Sequence, residues 1–198
     1  TLTGTANEPG ATVELLNASG QVIGASTVLV NGTWSVSAAT GLAQGAQTVS
    51  VRVTDVAGNV SANSPTISFV VDTQVGVPAA PTLAAGFDTG ASQTDGLTRL
   101  GAVTLTGQGA EPGATVAVID GTSVLGSATA GADGKWTFST TLSEGPHNVF
   151  ARQTDIAGNQ SALSPALTVV VDSRVDAPKA PVLASADDTG TAGDGFTQ

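Results

Sequence analysis

A sequence that repeats itself at intervals of about 100 residues is confined to a string of similar domains, and this one does so along its length. "NEPGATVELL" from Asn7 returns as "AEPGATVAVI" from Ala110, and "NGTWSVS" from Asn31 returns as "DGKWTFS" from Asp133. "FVVDTQVGVPAAPTLA" from Phe69 returns as "VVVDSRVDAPKAPVLA" from Val169. Solenoid units run to about 20–45 residues, so this longer period is the size of an independent domain. The expected organisation is a first unit at 1–72 without its first strand, a linker at 73–77, and a complete unit at 78–172. A second linker at 173–177 then leads to the first strand and A–B loop of a third unit at 178–198. The pattern is already under way at Thr1, so the chain is expected to be a piece of a longer array.

Within each unit the apolar residues alternate. Trp34, Val36 and Ala38 are separated by Ser35 and Ser37; Val49, Val51 and Val53 by Ser50 and Arg52; Ile67, Phe69 and Val71 by Ser68 and Val70. Period two buries one face of a β-strand. "NASG", "NG" and "DG" supply hairpin turns and "EPG" suits a type II turn. No stretch has helical periodicity with caps. The fold expected is all-β: tandem immunoglobulin-like β-sandwiches of about seven strands each, arranged as a rod. In the complete unit the strands fall near 81–84 (A), 103–106 (B), 115–119 (C), 123–129 (C′), 135–140 (E), 148–154 (F) and 166–171 (G).

Composition excludes several functions. A net charge of −10 and a pI near 4.1 leave no basic surface to meet phosphates, so nucleic acid is not a partner. No apolar run approaches the ~20 residues of a membrane span. With no cysteine, neither a disulfide nor a thiolate metal site is available. The one histidine, His147, stands beside Pro146 and reads as a surface residue, and no nucleophile elbow or phosphate loop is present, so no enzyme is indicated. Trp34 and Trp136 share the inward phase and read as core; "NAS", "NGT", "NVS" and "NQS" read as turn chemistry.

The acidic residues are more informative. Five pairs recur between copies: Glu8/Glu111, Asp55/Asp155, Asp72/Asp172, Asp88/Asp188 and, with a one-residue slip, Asp95/Asp194. Others drift, with Glu14 replaced by Ala117 and Gln44 by Glu144. Antiparallel topology sends Asp72 to the far end of the first unit and brings Glu111 and Asp155 to the near end of the second. Asp155 continues the inward phase of Val149, Ala151 and Gln153, so its carboxylate should lean over the end of the sandwich. Three carboxylates gathered across a short linker repel one another. A Ca²⁺ ion, which takes six to eight oxygen ligands, would resolve this, with linker carbonyls completing its shell. Asp55 and Asp155 can also be read as turn caps that accept backbone N–H groups, and Glu111 as a solvated turn residue. The A–B loop "FDTGASQTDG" holds Asp88 and Asp95 and reads either as a second ion site or as an Asx-rich turn. It lacks the spacing and closing Glu of an EF-hand.

Taken together, "EPGATV", "GxW", "TDxAGNxS", "VVD" and "APxAPxL…DTG" resemble the bacterial Ig-like repeats of giant, type I-secreted, biofilm-type adhesins of the RTX class. The resemblance implies an extracellular segment at a bacterial cell surface that extends a distal adhesive tip from an anchor, with Ca²⁺ held between repeats. The family's interdomain ligands carry over onto Asp72, Glu111 and Asp155; if molecules dock head to tail, Asp172 is expected to form the equivalent calcium site with a neighbour's Glu8 and Asp55. Partners would then be neighbouring repeats, with the tip ligand not contacted here. The competing reading is a ligand-binding module that meets a host or matrix glycan or protein, for which Phe150, on the outward phase of strand F, is the one mild feature. Head-to-tail self-association, with 178–183 docking on the first unit of another molecule, is also expected.

Overall fold

The computed structural model describes residues 1–181 and 184. The described residues contain strands and turns but no helix. The first unit has six strands: β1 (Leu2–Thr5), β2 (Thr12–Asn17), β3 (Val22–Thr27), β4 (Thr33–Val36), β5 (Gly45–Thr54) and β6 (Ile67–Val71). β1 pairs with β4, and the second sheet runs β3-β2-β5-β6. The second unit has eight: β7 (Thr82–Leu83), β8 (Leu97–Thr98), β9 (Ala102–Gly107), β10 (Thr115–Asp120), β11 (Ser123–Thr129), β12 (Trp136–Thr141), β13 (Gly145–Thr154) and β14 (Leu167–Val171). Its sheets run β12-β9-β7 and β11-β10-β13-β14-β8.

This is the expected all-β, immunoglobulin-like sandwich. The expected seven strands of the complete unit become eight because its first strand is divided. β7 lies antiparallel on β9, the chain then crosses the edge of the sandwich, and β8 pairs parallel with the end of β14. Strand F also starts at Gly145 rather than 148. The expected first strand and loop at 178–198, including Asp188 and Asp194, lies outside the described residues apart from 178–181 and 184.

Alternation does what the sequence requires. In β13, Val149, Ala151 and Gln153 are fully buried while the residues between them are not. Val149 and Ala151 pack with Val116 and Val118 of the neighbouring β10 and with Leu105 and Trp136 of the opposite sheet. The small-residue pattern "TLTG…GxW" has a direct cause: Trp136 is paired across the sheet with Gly107, and Trp34 with Gly4. A Cβ on either glycine would collide with the indole laid over it, so the flat ring fills space that a side chain would otherwise occupy.

The long F strands leave a free run beyond G, and serines fill it. In each unit the "SxxSP" segment after the turn lies beside strand F. Ser161 and Ser164 accept the backbone N–H groups of Gln153 and Ala151 at 3.1 and 2.9 Å, and Ser61 and Ser64 do the same for Val53 and Val51 at 3.0 Å. Their hydroxyls donate in turn to the carbonyls of Ala162 and Pro165, so these backbone groups are satisfied without a paired strand.

Candidate metal centre at the junction

Asp155 sits at the head of the "TDIAGN" turn because β13 delivers it there in the buried phase; it is 8% exposed. Asn159 closes the turn, its backbone N–H donating to Asp155 Oδ1 and its side-chain Nδ2 to Oδ2, both at 2.8 Å. Asp55 makes the same arrangement with Asn59, at 2.8 and 2.7 Å, and also accepts the Ala57 N–H at 2.9 Å. The capping role therefore holds at both turns and is enough to account for the recurrence of the pair. Burial acts to raise the Asp155 pKa, but the Asn159 side-chain and backbone hydrogen bonds, with those of Gly158 and Ala157, more than offset it. The carboxyl stays below its ordinary value of 3.8 and is ionised at neutral pH. Asp55 is lowered chiefly by the Asn59 side chain.

What separates the second turn from the first is its company. Asp72, Glu111 and Asp155 each offer a carboxylate oxygen, and these oxygens lie within 4.8 Å of one another. Among the described residues no other group of three acidic or histidine side chains gathers in this way. The ion pairs there join Arg52 to Glu14, Lys135 to Asp133 and His147 to Asp120, so no basic side chain neutralises the three. An all-oxygen, anionic donor set fits a hard divalent cation such as Ca²⁺.

The linker is also tied down by contacts that composition did not reveal. Gln153, fully buried, donates from Nε2 to the Gly76 carbonyl and accepts the Glu111 N–H on Oε1, both at 2.7 Å. Asn159 Nδ2 reaches the Asp72 carbonyl at 3.1 Å, and the Gly76 N–H donates to Glu111 Oε1 at 3.2 Å. From the first unit, Gln44 Nε2 donates to Asp72 Oδ1 at 2.8 Å. The linker carbonyl of Gly76 and the Asp72 carbonyl just before the linker are thus engaged by Gln153 and Asn159. Gln153 was legible only as a polar residue in an apolar phase.

The remaining candidates lie apart. Glu8 is exposed and Asp55 half-buried at the near end of the first unit, and Asp172 is exposed at the far end of the second. Asp88 is buried in the A–B crossing, whereas Asp95 is exposed and accepts the Leu97 N–H at 3.0 Å. Glu144, read as drifting, accepts the Ser173 N–H at 3.0 Å just beyond Asp172. His147 is not a surface residue: its ring is held by Asp120 Oδ2 at 2.6 Å and the Ser143 carbonyl at 3.0 Å, with its side chain 10% exposed.

No curated protein sequence matches the chain. Similar solved structures include the fibronectin(III)-like modules of Clostridium thermocellum CbhA, at 18% identity over 90% of this chain and 87% of that one, with a TM-score of 0.46. A Ca²⁺-stabilized adhesin with which an Antarctic bacterium binds ice is 26% identical over 86% of this chain, with a TM-score of 0.46. A tetra-tandem repeat from the extending region of a large adhesion protein is 20% identical over 86% of this chain, with a TM-score of 0.39. This chain spans 43% and 45% of those two adhesin structures. The bacterial Ig-like domain family matches residues 1–73 and again 74–173, so the chain belongs to that family and carries two of its domains in tandem.

Proposed function

We propose that this chain is an extender segment of a bacterial cell-surface adhesin, in which Ca²⁺ at the joint between repeats sets the stiffness of a rod. The observation that carries this reading is the convergence of Asp72 from one unit with Glu111 and Asp155 from the next, without a basic partner. The joints would be the linkers 73–77 and 173–177. At the first, Asp155 is already ionised and fixed by Asn159, so the ion meets a prepared ligand. When bound, the ion supplies charge neutralisation and cross-links the two units; Gln153, Asn159 and Gln44 orient the chain around it. Each unit has its own core, so calcium governs the angle between units and not their folding. Extracellular export by type I secretion and a place in a biofilm matrix follow from the same reading.

Calorimetric titration of the whole chain tests it. Calcium binding is expected in the wild type, with one site lost in Asp155→Ala. Small-angle scattering should show a narrower spread of interunit angles in calcium than in EDTA. Identical titrations for the two proteins would sink the proposal. The same joint formed between molecules, with Asp172 meeting a neighbour's Glu8 and Asp55, gives head-to-tail association. It should vanish from sedimentation profiles when 177–198 are removed.

A further inference from the structure

Outside the junction one polar atom stands out. Asp88 is buried, 8% exposed, in the crossing between β7 and β8. Its Oδ2 accepts the Gly96 N–H at 3.1 Å, but its Oδ1 is buried with no hydrogen-bond partner at all. A carboxylate oxygen in that position is unstable unless a proton, a donor or a cation meets it. No donor reaches Oδ1, and Asp88 lines a cavity of about 230 Å³ whose other walls come from Thr82, Leu83, Gln93, Thr94, Gly96 and Leu167. The walls contain no lysine, arginine or histidine. Their polar atoms include the Gln93 amide oxygen and the Thr94 hydroxyl, the donor types that hard cations take.

We propose that Asp88 is the charged ligand of a second Ca²⁺ site, internal to the domain, which locks the crossing strand onto the end of strand G. The backbone supports this linkage. The Gly96 carbonyl accepts the Val170 N–H at 2.9 Å, and the Thr98 carbonyl accepts the Asp172 N–H at 2.8 Å. An ion on Asp88 would therefore hold β8 against β14, and through it the position of Asp172. Asp95 is not part of the site; its carboxylate serves its own turn through the Leu97 N–H and does not line the cavity. The site does not depend on the junction reading, because no residue is shared.

The test compares Asp88→Asn with the wild type as whole chains, in EDTA and in millimolar calcium. Asparagine keeps the shape and removes the charge. In EDTA the variant should melt higher than the wild type, because a buried uncompensated charge is gone; in calcium the order should reverse. Calorimetry should show the loss of one calcium site in Asp88→Asn and none in Asp95→Asn, while Asp155→Ala loses only the junction site. Equal stoichiometry in wild type and Asp88→Asn, or a melting difference unchanged by calcium, would overturn the proposal. If Asp88→Asn does not fold, terbium-soaked wild-type crystals decide by anomalous scattering: a peak beside Asp88 supports the site and its absence overturns it.

Discussion

Leu105 and Trp136 are buried in the second unit, whereas their counterparts Leu2 and Trp34 in the first are half-buried. Ala151 and Val169 are fully enclosed, yet the matching Val51 and Phe69 are not, and Ile67 is 49% exposed. The two units share strands B to G and almost the same side chains, so the difference lies in what covers them. In the second unit β7 closes the edge of β9 and β8 closes the edge of β14. In the first, a groove of about 350 Å³ runs over Leu2, Leu15, Trp34, Val49 and Val51. A divided strand with only two paired residues at each end therefore contributes little core of its own. Its work is to shield everyone else's.

The largest test of that view is a matched pair of truncations. Leu105→Ala should destabilise its unit by about 3–5 kcal/mol, the usual effect of emptying a closed core, and Leu2→Ala its own by only about 1 kcal/mol. Denaturant unfolding reads the two separately, because each unit holds one tryptophan, Trp34 or Trp136. Equal losses would show that the first unit's core is closed in solution. Next in size is the order of unfolding. With several side chains half-covered, the first unit should be less stable by about 3 kcal/mol, at roughly 25 cal/mol per Å² of apolar area left in water. The Trp34 signal should then change at lower urea than that of Trp136. A single coincident transition would mean that the units stabilise each other across the linker more than their separate cores imply.

Much of this fold was legible because alternation, hairpin turns and repetition all point to one architecture. Strands C and C′ were placed within a residue, and the inward phase of Asp155 followed from Val149 by counting. The convergence of Asp72, Glu111 and Asp155 was legible for the same reason: topology fixes which ends meet. Contacts that depend on side-chain reach were not. Gln153 aligns with Val53, and nothing in its neighbours says that an amide would be buried there to meet a linker carbonyl. The division of strand A was hidden because β8 is two residues long and lies in a polar, glycine-bearing stretch. His147 was misread because its partner, Asp120, is distant in sequence and adjacent only across β10 and β13.

Gln153 supplies the third test. Converting it to the first unit's residue, Gln153→Val, removes the bonds to Gly76 and Glu111 but leaves an apolar side chain of compatible phase. The expected loss is about 1 kcal/mol, since two part-buried hydrogen bonds, to the Gly76 carbonyl and from the Glu111 N–H, are removed. Hydrogen exchange at the Glu111 amide should quicken well beyond that of core amides in β13. Calcium should bind more weakly while Asp155 keeps its own turn. If exchange at Glu111 is unchanged, the linker is not held by this amide.

The smallest expected effect separates the units by pH. Position 147 is histidine in the second unit, and its counterpart in the first is Gln47, which makes the same reach to a carbonyl: Gln47 Nε2 to Ala43 and His147 Nε2 to Ser143, each at 3.0 Å. Likewise Asp120 is matched by Asn17, so only the second unit holds an acid against the ring. Burial lowers the His147 pKa, but the hydrogen bonds to Asp120 and Ser143 and the charge of Asp120 outweigh it, leaving the value above 6.5. The charged ring donates from both nitrogens, and the neutral ring from only one. A raised histidine pKa means that the folded unit holds its proton more tightly than the unfolded chain does. The resulting stabilisation is fully present below the unfolded value and is lost as pH rises through the folded one. The acid arm carries one matched pair, since Asp55 and Asp155 are both lowered below 3.8, and two groups of the second unit alone, Asp133 and Glu144, whose carboxyls are lowered by Lys135 and Ser173 and stand opposite Asn31 and Gln44. All of these lose their contribution as pH falls into the acid range. The difference that His147 makes is therefore read at about pH 6–8, above the range of the carboxylates. Followed by Trp136 in a Trp34→Phe background, the urea midpoint of the second unit should fall gently across that window. The first unit, followed by Trp34 in Trp136→Phe, should stay level. Asp120→Asn, which restores the first unit's residue, should flatten the second unit's profile as well. A slope that survives Asp120→Asn would place the titrating group elsewhere.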